Sequence, residues 1–275
     1  MTDEVNRAAA ETAPSPGLAV EAEGQIYKAV VEYDGTQYFG FQIQPNAPTI
    51  QGELEAALAK VLGGPVRVVG GGRTDAGVHA LGQVISFRAA WRHSPEELGR
   101  AMNAHLPADI AVREVAAMPE GFHARFSAVA RRYRYTLFVS PVRSPLRERY
   151  AWRLAEEPDW ESLAQASALV VGEKDFGAFG EAPWGDSTVR CVRQACWSRR
   201  GDFLLWDVEA NAFLRSMVRT LVSTMVWVGT GRMTLEALAD LFRQPDRSRV
   251  APPAPASGLC LMEVLYGRGA CSISE

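Results

Sequence analysis

Apolar and polar positions alternate from Ile26 to Tyr33, placing Tyr27, Ala29, Val31 and Tyr33 on one face in the period-two pattern of a half-buried strand. Thr49 precedes a segment whose Leu54, Leu58, Val61 and Leu62 fall on one helical stripe, which predicts a helix capped by Thr49. Short strands are predicted over Val66 to Val69 and Gln83 to Phe87, on either side of a glycine-rich turn. Ser94-Pro95-Glu96-Glu97 joins a capping box to a proline at the first helical position, and Leu98, Met102 and Leu106 carry the stripe onward. A strand over Ile110 to Val115 completes the order β-α-β-β-α-β.

The second half repeats that order with longer elements: strand Arg132 to Val139, helix Asp159 to Val171, strands Val189 to Trp197 and Phe203 to Ala210, helix Phe213 to Val228 and strand Leu259 to Leu265. An extra helix near Thr234 to Phe242 precedes the last strand, and no residue-level repeat accompanies the repeated order. The expectation is an α+β fold of two ferredoxin-like βαββαβ halves with antiparallel sheets, the form of many RRM-like RNA-binding modules. Their boundaries are set at 24–118 and 119–275. Residues 1–23, rich in Ala, Glu and Pro with few large apolar side chains, are expected to be a disordered acidic tail. Fold alone leaves function open, since hydrolases, ribosomal proteins and regulatory domains share this order.

Composition narrows the classes. No apolar run approaches the roughly 18 residues of a membrane span, and the N-terminus lacks a basic segment followed by an apolar signal core, so no membrane association and a cytoplasmic location are expected. The four cysteines, Cys191, Cys196, Cys260 and Cys271, form no CxxC pair and have no histidine at zinc spacing; reduced thiols and no metal site are expected. The formal charge of −3 looks unfavourable for a nucleic-acid enzyme, but residues 1–23 carry −4 of it. From Gly121 to Arg153 eight arginines face one acid, Glu148. That cluster is either an RNA track or a solvated face in a chain that prefers arginine to its three lysines.

The segment richest in chemistry is Gly70-Gly71-Gly72-Arg73-Thr74-Asp75-Ala76-Gly77-Val78-His79-Ala80. It lacks GxxxxGK[ST] and opens no helix, so it is neither a phosphate-cradling loop nor a dinucleotide fingerprint. Its Arg-x-Asp core sets an anion beside a cation in a tight turn, which is more commonly a structural salt bridge than a catalytic carboxylate. Burial disfavours an aspartate anion and a nearby guanidinium restores it, so a buried nucleophilic Asp75 needs a cation from Arg73 or from an arginine of the second half.

The run Gly72 to His79 resembles the signature of the tRNA pseudouridine synthase A family. Further matches follow in order: Tyr33-Asp34-Gly35-Thr36, Tyr38 to Gln42, Asn103 with Leu106-Pro107, Phe122 to Ala128, Arg131 to Tyr135, Asp175-Phe176 and Asn211 to Arg219. The resemblance covers about Tyr27 to Gly267. Departures are Ile43, where the family often has a basic residue, and Cys260, where it often has a tyrosine.

The resemblance implies an isomerase that needs no cofactor and no metal, works as a homodimer and converts uridine to pseudouridine at positions 38, 39 and 40 in the anticodon arm of tRNA, with the two halves joined around a central RNA-binding cleft. It makes Asp75 the nucleophile, Arg73 the neighbour that holds the flipped nucleotide, Tyr133 the aromatic against the target base, and Arg219 the partner of Asp75 from the C-terminal half. Arg125, Arg132, Arg134 and His79 are further candidates for substrate contact. Duller readings stand beside these. Tyr133 alternates with Tyr135, Leu137 and Val139 as a core strand would, and His79 and His123 suit hydrogen-bonded scaffold as well as general bases. Arg219 lies among Met217, Leu221, Met225 and Val228, where an unpaired cation is costly. A phosphate hydrolase of the same fold and a non-catalytic RNA-binding module are the rival functions.

Overall fold

The computed structural model describes residues 24–182 and 185–267; the expected acidic tail, 1–23, lies outside them. The first half contains β1 (Gln25–Tyr33), α1 (Ile50–Leu62), β2 (Val69–Gly70), β3 (His79–Ala89), α2 (Pro95–Asn103) and β4 (Ile110–Met118). Both helices begin where their caps predict. Thr49 accepts the Gly52 amide, and the Ser94 hydroxyl and Glu97 carboxylate exchange bonds across the first turn of α2. The strand expected over Val66 to Val69 shrinks to two residues, because its glycine-rich continuation turns away into the motif.

The second half contains β5 (Ala128–Val139), α3 (Pro145–Glu148), β6 (Trp152–Leu154), α4 (Trp160–Ala168), β7 (Gly172–Asp175), β8 (Val189–Arg200), β9 (Phe203–Ala210), α5 (Met217–Gly229), α6 (Leu235–Asp240) and β10 (Leu259–Tyr266). The short pieces α3, β6 and β7 carry too few residues for a periodic signal. Helix α5 starts four residues later than Phe213, the start the sequence suggests. Ser216 adopts a left-handed conformation (φ +62°) before it, and Phe213 to Ser216 form a loop.

All strands join one mostly antiparallel sheet in the order β4-β1-β3-β10-β5-β9-β8-β7, with β2 on β3 and β6 on β5. The fold is thus mixed α+β with a single continuous sheet. The first-half and second-half strands meet where β3 and β10 run parallel, through only Cys260 opposite His79 and Leu261 opposite Ala80. Helix α5 is buried almost all round, and its Thr220, Ser223 and Thr224 hydroxyls bond back to carbonyls of the preceding turn, which lets polar side chains sit in the core.

Period-two alternation on β5 sorts its side chains. Tyr133 and Tyr135 face the core with Val208 and Trp206 opposite them on β9. Arg132 and Arg134 point to the other face, where Arg132 pairs with Glu209 and Glu263 and Arg134 with Asp207. Among the described cysteines Cys196 and Cys260 are free, burial pushing the Cys260 thiol up to about 12, whereas Cys191 is disulfide-bonded, against the expectation of a reduced thiol there; Cys271 lies outside the described residues.

Candidate active site

The motif loop between β2 and β3 is held rigidly from three sides. Buried Gln83 accepts the Gly72 amide (3.1 Å) and donates to the Gly72 carbonyl (2.6 Å), so one side chain fixes both ends of that residue. Thr74 Oγ1 lies 2.8 Å from the Tyr33 hydroxyl, and its carbonyl accepts the Phe41 amide. The close approach of that neighbouring segment needs Gly40, which has φ +97° and lies where a Cβ would come within 2.8 Å of the Thr74 carbonyl oxygen. Gly77, at φ +77°, completes the turn in which the Val78 amide returns to the Asp75 carbonyl.

Arg131 supplies the third anchor. Its guanidinium donates to the carbonyls of Gly71 (2.7 and 3.0 Å), Arg125 (2.8 Å) and Asn211 (3.0 Å), tying three segments together, and burial holds its pKa below the usual arginine value. Arg131→Met leaves those carbonyls without their donor. It is expected to lower unfolding free energy by about 1–3 kcal/mol, the cost of unmade bonds at partly buried polar groups. Urea denaturation checks this, and an unchanged midpoint rules the clamp out.

Asp75 opens the turn beside the N-terminus of α5. Its Oδ2 lies 3.4 Å from Arg219 Nη1 and 3.4 Å from Ser216 Oγ, with the Asp75 side chain 33% exposed and that of Arg219 19%. Arg219 is positioned from its other end, Nε donating to the Ala254 carbonyl at 2.6 Å. Ser216 does not cap its own helix, and its left-handed backbone costs roughly 1–2 kcal/mol. A carboxylate at this end of α5 also meets the positive end of the helix dipole. Neither the Ser216 contact nor its strain has a signal in the sequence.

These groups line a cleft of about 1260 Å³, larger than the roughly 300–1,000 Å³ of a small-molecule pocket. Tyr133, buried at 6% exposure, packs edge-on against Phe213 with centroids 5.0 Å apart, and burial raises its hydroxyl pKa. Arg73 also lines the cleft; burial and then neighbouring Arg125 lower its pKa. Among the described residues seven arginines line the cleft against two acids, Asp75 and Glu181. The side chains can therefore hold an anionic polymer while presenting the Asp75 carboxylate and the Tyr133 ring.

The structure thus gathers Asp75, Arg73, Arg219, Tyr133 and Arg125 into one cleft. It does not bring Arg132 or Arg134 there. Nor does the Gly121 to Arg153 cluster form a track: Arg143 and Arg153 pair with Glu148, Arg147 with Asp202 and Arg149 with Asp34, and only Arg125 and Arg131 reach the cleft. Its other arginines, Arg67, Arg190 and Arg215 among them, come from scattered positions that no charge run marks.

His79 is absent from the cleft lining. At 6% exposure, its Nδ1 accepts the Gly35 amide at 3.1 Å, Asp34 Oδ1 lies 3.1 Å from the same nitrogen, and the Tyr150 ring is 5.1 Å away. Burial lowers its pKa, outweighing the pull of Asp34 in the other direction. Burial alone would raise the Asp34 carboxyl, yet bonds from Thr36, Tyr150 and Arg149 hold it well below the usual range. For a histidine with a depressed folded pKa, the unfolded chain binds the extra proton, so stability is full above about pH 6.5 and falls as pH drops toward the folded value. His79→Gln, able to accept the same amide, is expected to flatten that fall. Denaturation curves from pH 7 to 5 check it, and identical slopes for the two proteins count against it.

Among the described residues no group of three or more His, Cys, Asp or Glu side chains is placed to hold a metal ion, and no helix is long and apolar enough to cross a membrane. The family described as tRNA pseudouridine synthase matches the chain at residues 29–127 and 166–267. The chain is 43% identical over 241 residues to the tRNA pseudouridine synthase A of Geobacter sp. (strain M21), a match covering 87% of this chain and 98% of that one. It is 43% identical over 247 residues to the protein of the same name from Syntrophotalea carbinolica, covering 90% and 98%. With that of Moorella thermoacetica it shares 42% identity over 245 residues, covering 87% and 98%.

Proposed function

Since the chain belongs to the tRNA pseudouridine synthase family, we propose that it isomerises uridine to pseudouridine in the anticodon arm of tRNA, with Asp75 as nucleophile and no cofactor. The observation that carries this reading is the convergence of Asp75 and Arg219 from opposite halves of the chain at an arginine-lined cleft containing Tyr133. The reaction breaks the glycosidic C1′–N1 bond, turns the base and rejoins it through C5. The base must be held while detached. The Asp75 carboxylate attacks the sugar or the base ring, or assists elimination at the sugar, and in each route its anion is held ready by Arg219. Tyr133 faces the target base, Arg73 and Arg125 hold the flipped nucleotide by its phosphates, and Arg132, Arg134 and His79 act as scaffold away from the substrate.

The sheet is read as two ferredoxin-like halves, 24–118 and 119 onward, meeting at the β3–β10 seam, and the working enzyme as a cytoplasmic homodimer. Light scattering tests the dimer. Pseudouridine mapping on unmodified tRNA transcripts with purified protein and no cofactor tests the reaction. Conversion confined to anticodon-arm uridines is expected, and tRNA bound without conversion would leave an RNA-binding module as the better account. A phosphate-release assay separates the hydrolase rival.

Binding should also be strongly salt-dependent. Each phosphate neutralised contributes a slope of about −0.7 to −0.9 in log affinity against log salt, so three or more contacts give about −2 or steeper. Affinity then falls at least about tenfold from 50 to 200 mM salt. A flat dependence measured by filter binding removes the cleft arginines from the argument.

A further inference from the structure

Beside the motif loop, on the rim of the same cleft, stands an aromatic ring that the chemistry at Asp75 does not use. Phe126 is 77% exposed, an unfavourable position for a large apolar side chain, yet it is held in place. Its ring stacks on His123 with centroids 4.3 Å apart and planes inclined by 24°, and the Arg125 guanidinium lies 5.4 Å from its centroid. The turn beneath is closed by His123 Nδ1, which accepts the amides of Arg125 (3.2 Å) and Phe126 (3.1 Å). It is closed again by the Ser127 amide on the His123 carbonyl (2.9 Å) and by the Ser127 hydroxyl, which accepts the His123 amide (3.1 Å). Arg131 then registers this turn to the catalytic loop, since one guanidinium grips both the Arg125 and the Gly71 carbonyls.

We propose that Phe126 is a nucleobase-stacking platform that takes a base flanking the extruded uridine. This deepens the function proposed above and rests on it. Extruding a base from a stem sacrifices its stacking on both neighbours, and Tyr133, buried within the cleft and assigned above to the target base, leaves the neighbours unstacked. A fixed, largely exposed ring stacked on an imidazole, with the Arg125 guanidinium over it at 5.4 Å, offers the neighbouring base the stack it has lost. The arginines around it favour RNA over an apolar protein surface or a lipid as the occupant. As a positioning residue, Phe126 acts on binding and orientation of the RNA rather than on bond breaking.

The test compares Phe126→Ala, Phe126→Leu and Phe126→Trp in the full chain, each shown by thermal melting to be folded, on a tRNA transcript with 2-aminopurine placed in turn on either side of the target uridine. Loss of one base stack is expected to raise KM about 5- to 150-fold for the alanine variant with a smaller change in kcat. Tryptophan restores wild-type behaviour and leucine does not. Wild type quenches 2-aminopurine at one flanking position, and the alanine variant leaves it unquenched. Leucine equal to wild type, or an alanine variant with unchanged KM and quenching, overturns the platform while wild-type conversion still upholds the reaction. Failure of the wild type to form pseudouridine would instead overturn the reaction, and the quenching comparison would still decide the stacking.

Discussion

Asp75→Asn is expected to abolish pseudouridine formation, by at least about 10³-fold in single-turnover rate, while the protein still folds and binds tRNA. Asparagine fills the same volume and keeps an oxygen toward Arg219 Nη1 and Ser216 Oγ, so the turn between β2 and β3 need not move. That turn is fixed by Gln83, Tyr33 and Arg131, none of which contacts the Asp75 carboxylate. What disappears is the anion, and with it the only group on this turn able to attack or to take up a developing positive charge. Single-turnover conversion alongside filter binding checks the expectation. A variant that retains a tenth of the rate would move the chemistry to another residue.

Arg219→Met is expected to lower the rate by about 10²–10³, the range seen when one preorganised charge is removed from an active site. It should also lower stability by about 1–3 kcal/mol, below the roughly 3–5 kcal/mol of a fully buried broken pair because the Asp75 side chain is one-third exposed. The two losses arise from different atoms. Nη1 serves Asp75, and Nε serves the Ala254 carbonyl on the segment leading to β10. Lysine keeps a charge but has no planar fork to satisfy both, so Arg219→Lys should recover part of the rate and little of the stability. Urea denaturation and single-turnover kinetics measured together separate the terms. Full activity in the methionine variant, with only stability lost, would reduce Arg219 to a structural brace.

Much of this architecture was legible because local chemistry and tertiary need agree. Thr49 and Ser94 mark helix starts by their capping geometry alone, and the alternation at Tyr27, Ala29, Val31 and Tyr33 reappears as the buried face of β1. The same alternation, applied to Arg132-Tyr133-Arg134, separates the arginines from the tyrosine, which is why the two arginines meet acids on β9 and β10 while Tyr133 reaches the cleft. A charge run read along the chain ignores that division and counts as one patch arginines that pair with acids on different faces. Other features depend on distant partners. Ser216 looks like an ordinary helical residue until its positive φ sets its hydroxyl toward Asp75, and Phe126 looks like a core residue until the turn at His123 leaves it outside. Asp75 as nucleophile and its pairing with Arg219 come from the family resemblance; the residues alone leave the Arg-x-Asp turn as a structural salt bridge and say only that a cation on an apolar helix needs some anion.

The position of the last strand governs when the enzyme comes into being. Strand β10 enters the middle of the sheet between β3 and β5, so a growing chain that has not yet emitted Leu259 holds two half-sheets whose inner edges are paired only in part, by β2 on β3 and β6 on β5. Asp75 and Arg219 are already synthesised, yet the strand that joins the two half-sheets is missing, and only loop and side-chain contacts such as Arg131 to Gly71 and Arg149 to Asp34 are available to link the halves. Ribosomal synthesis, which runs at roughly 5–20 residues per second, therefore delays joining of the two half-sheets until β10 has been made. Closure then depends on contacts of high sequence separation, the slow kind. A chain cut before Leu259 loses the strand that unites the two half-sheets.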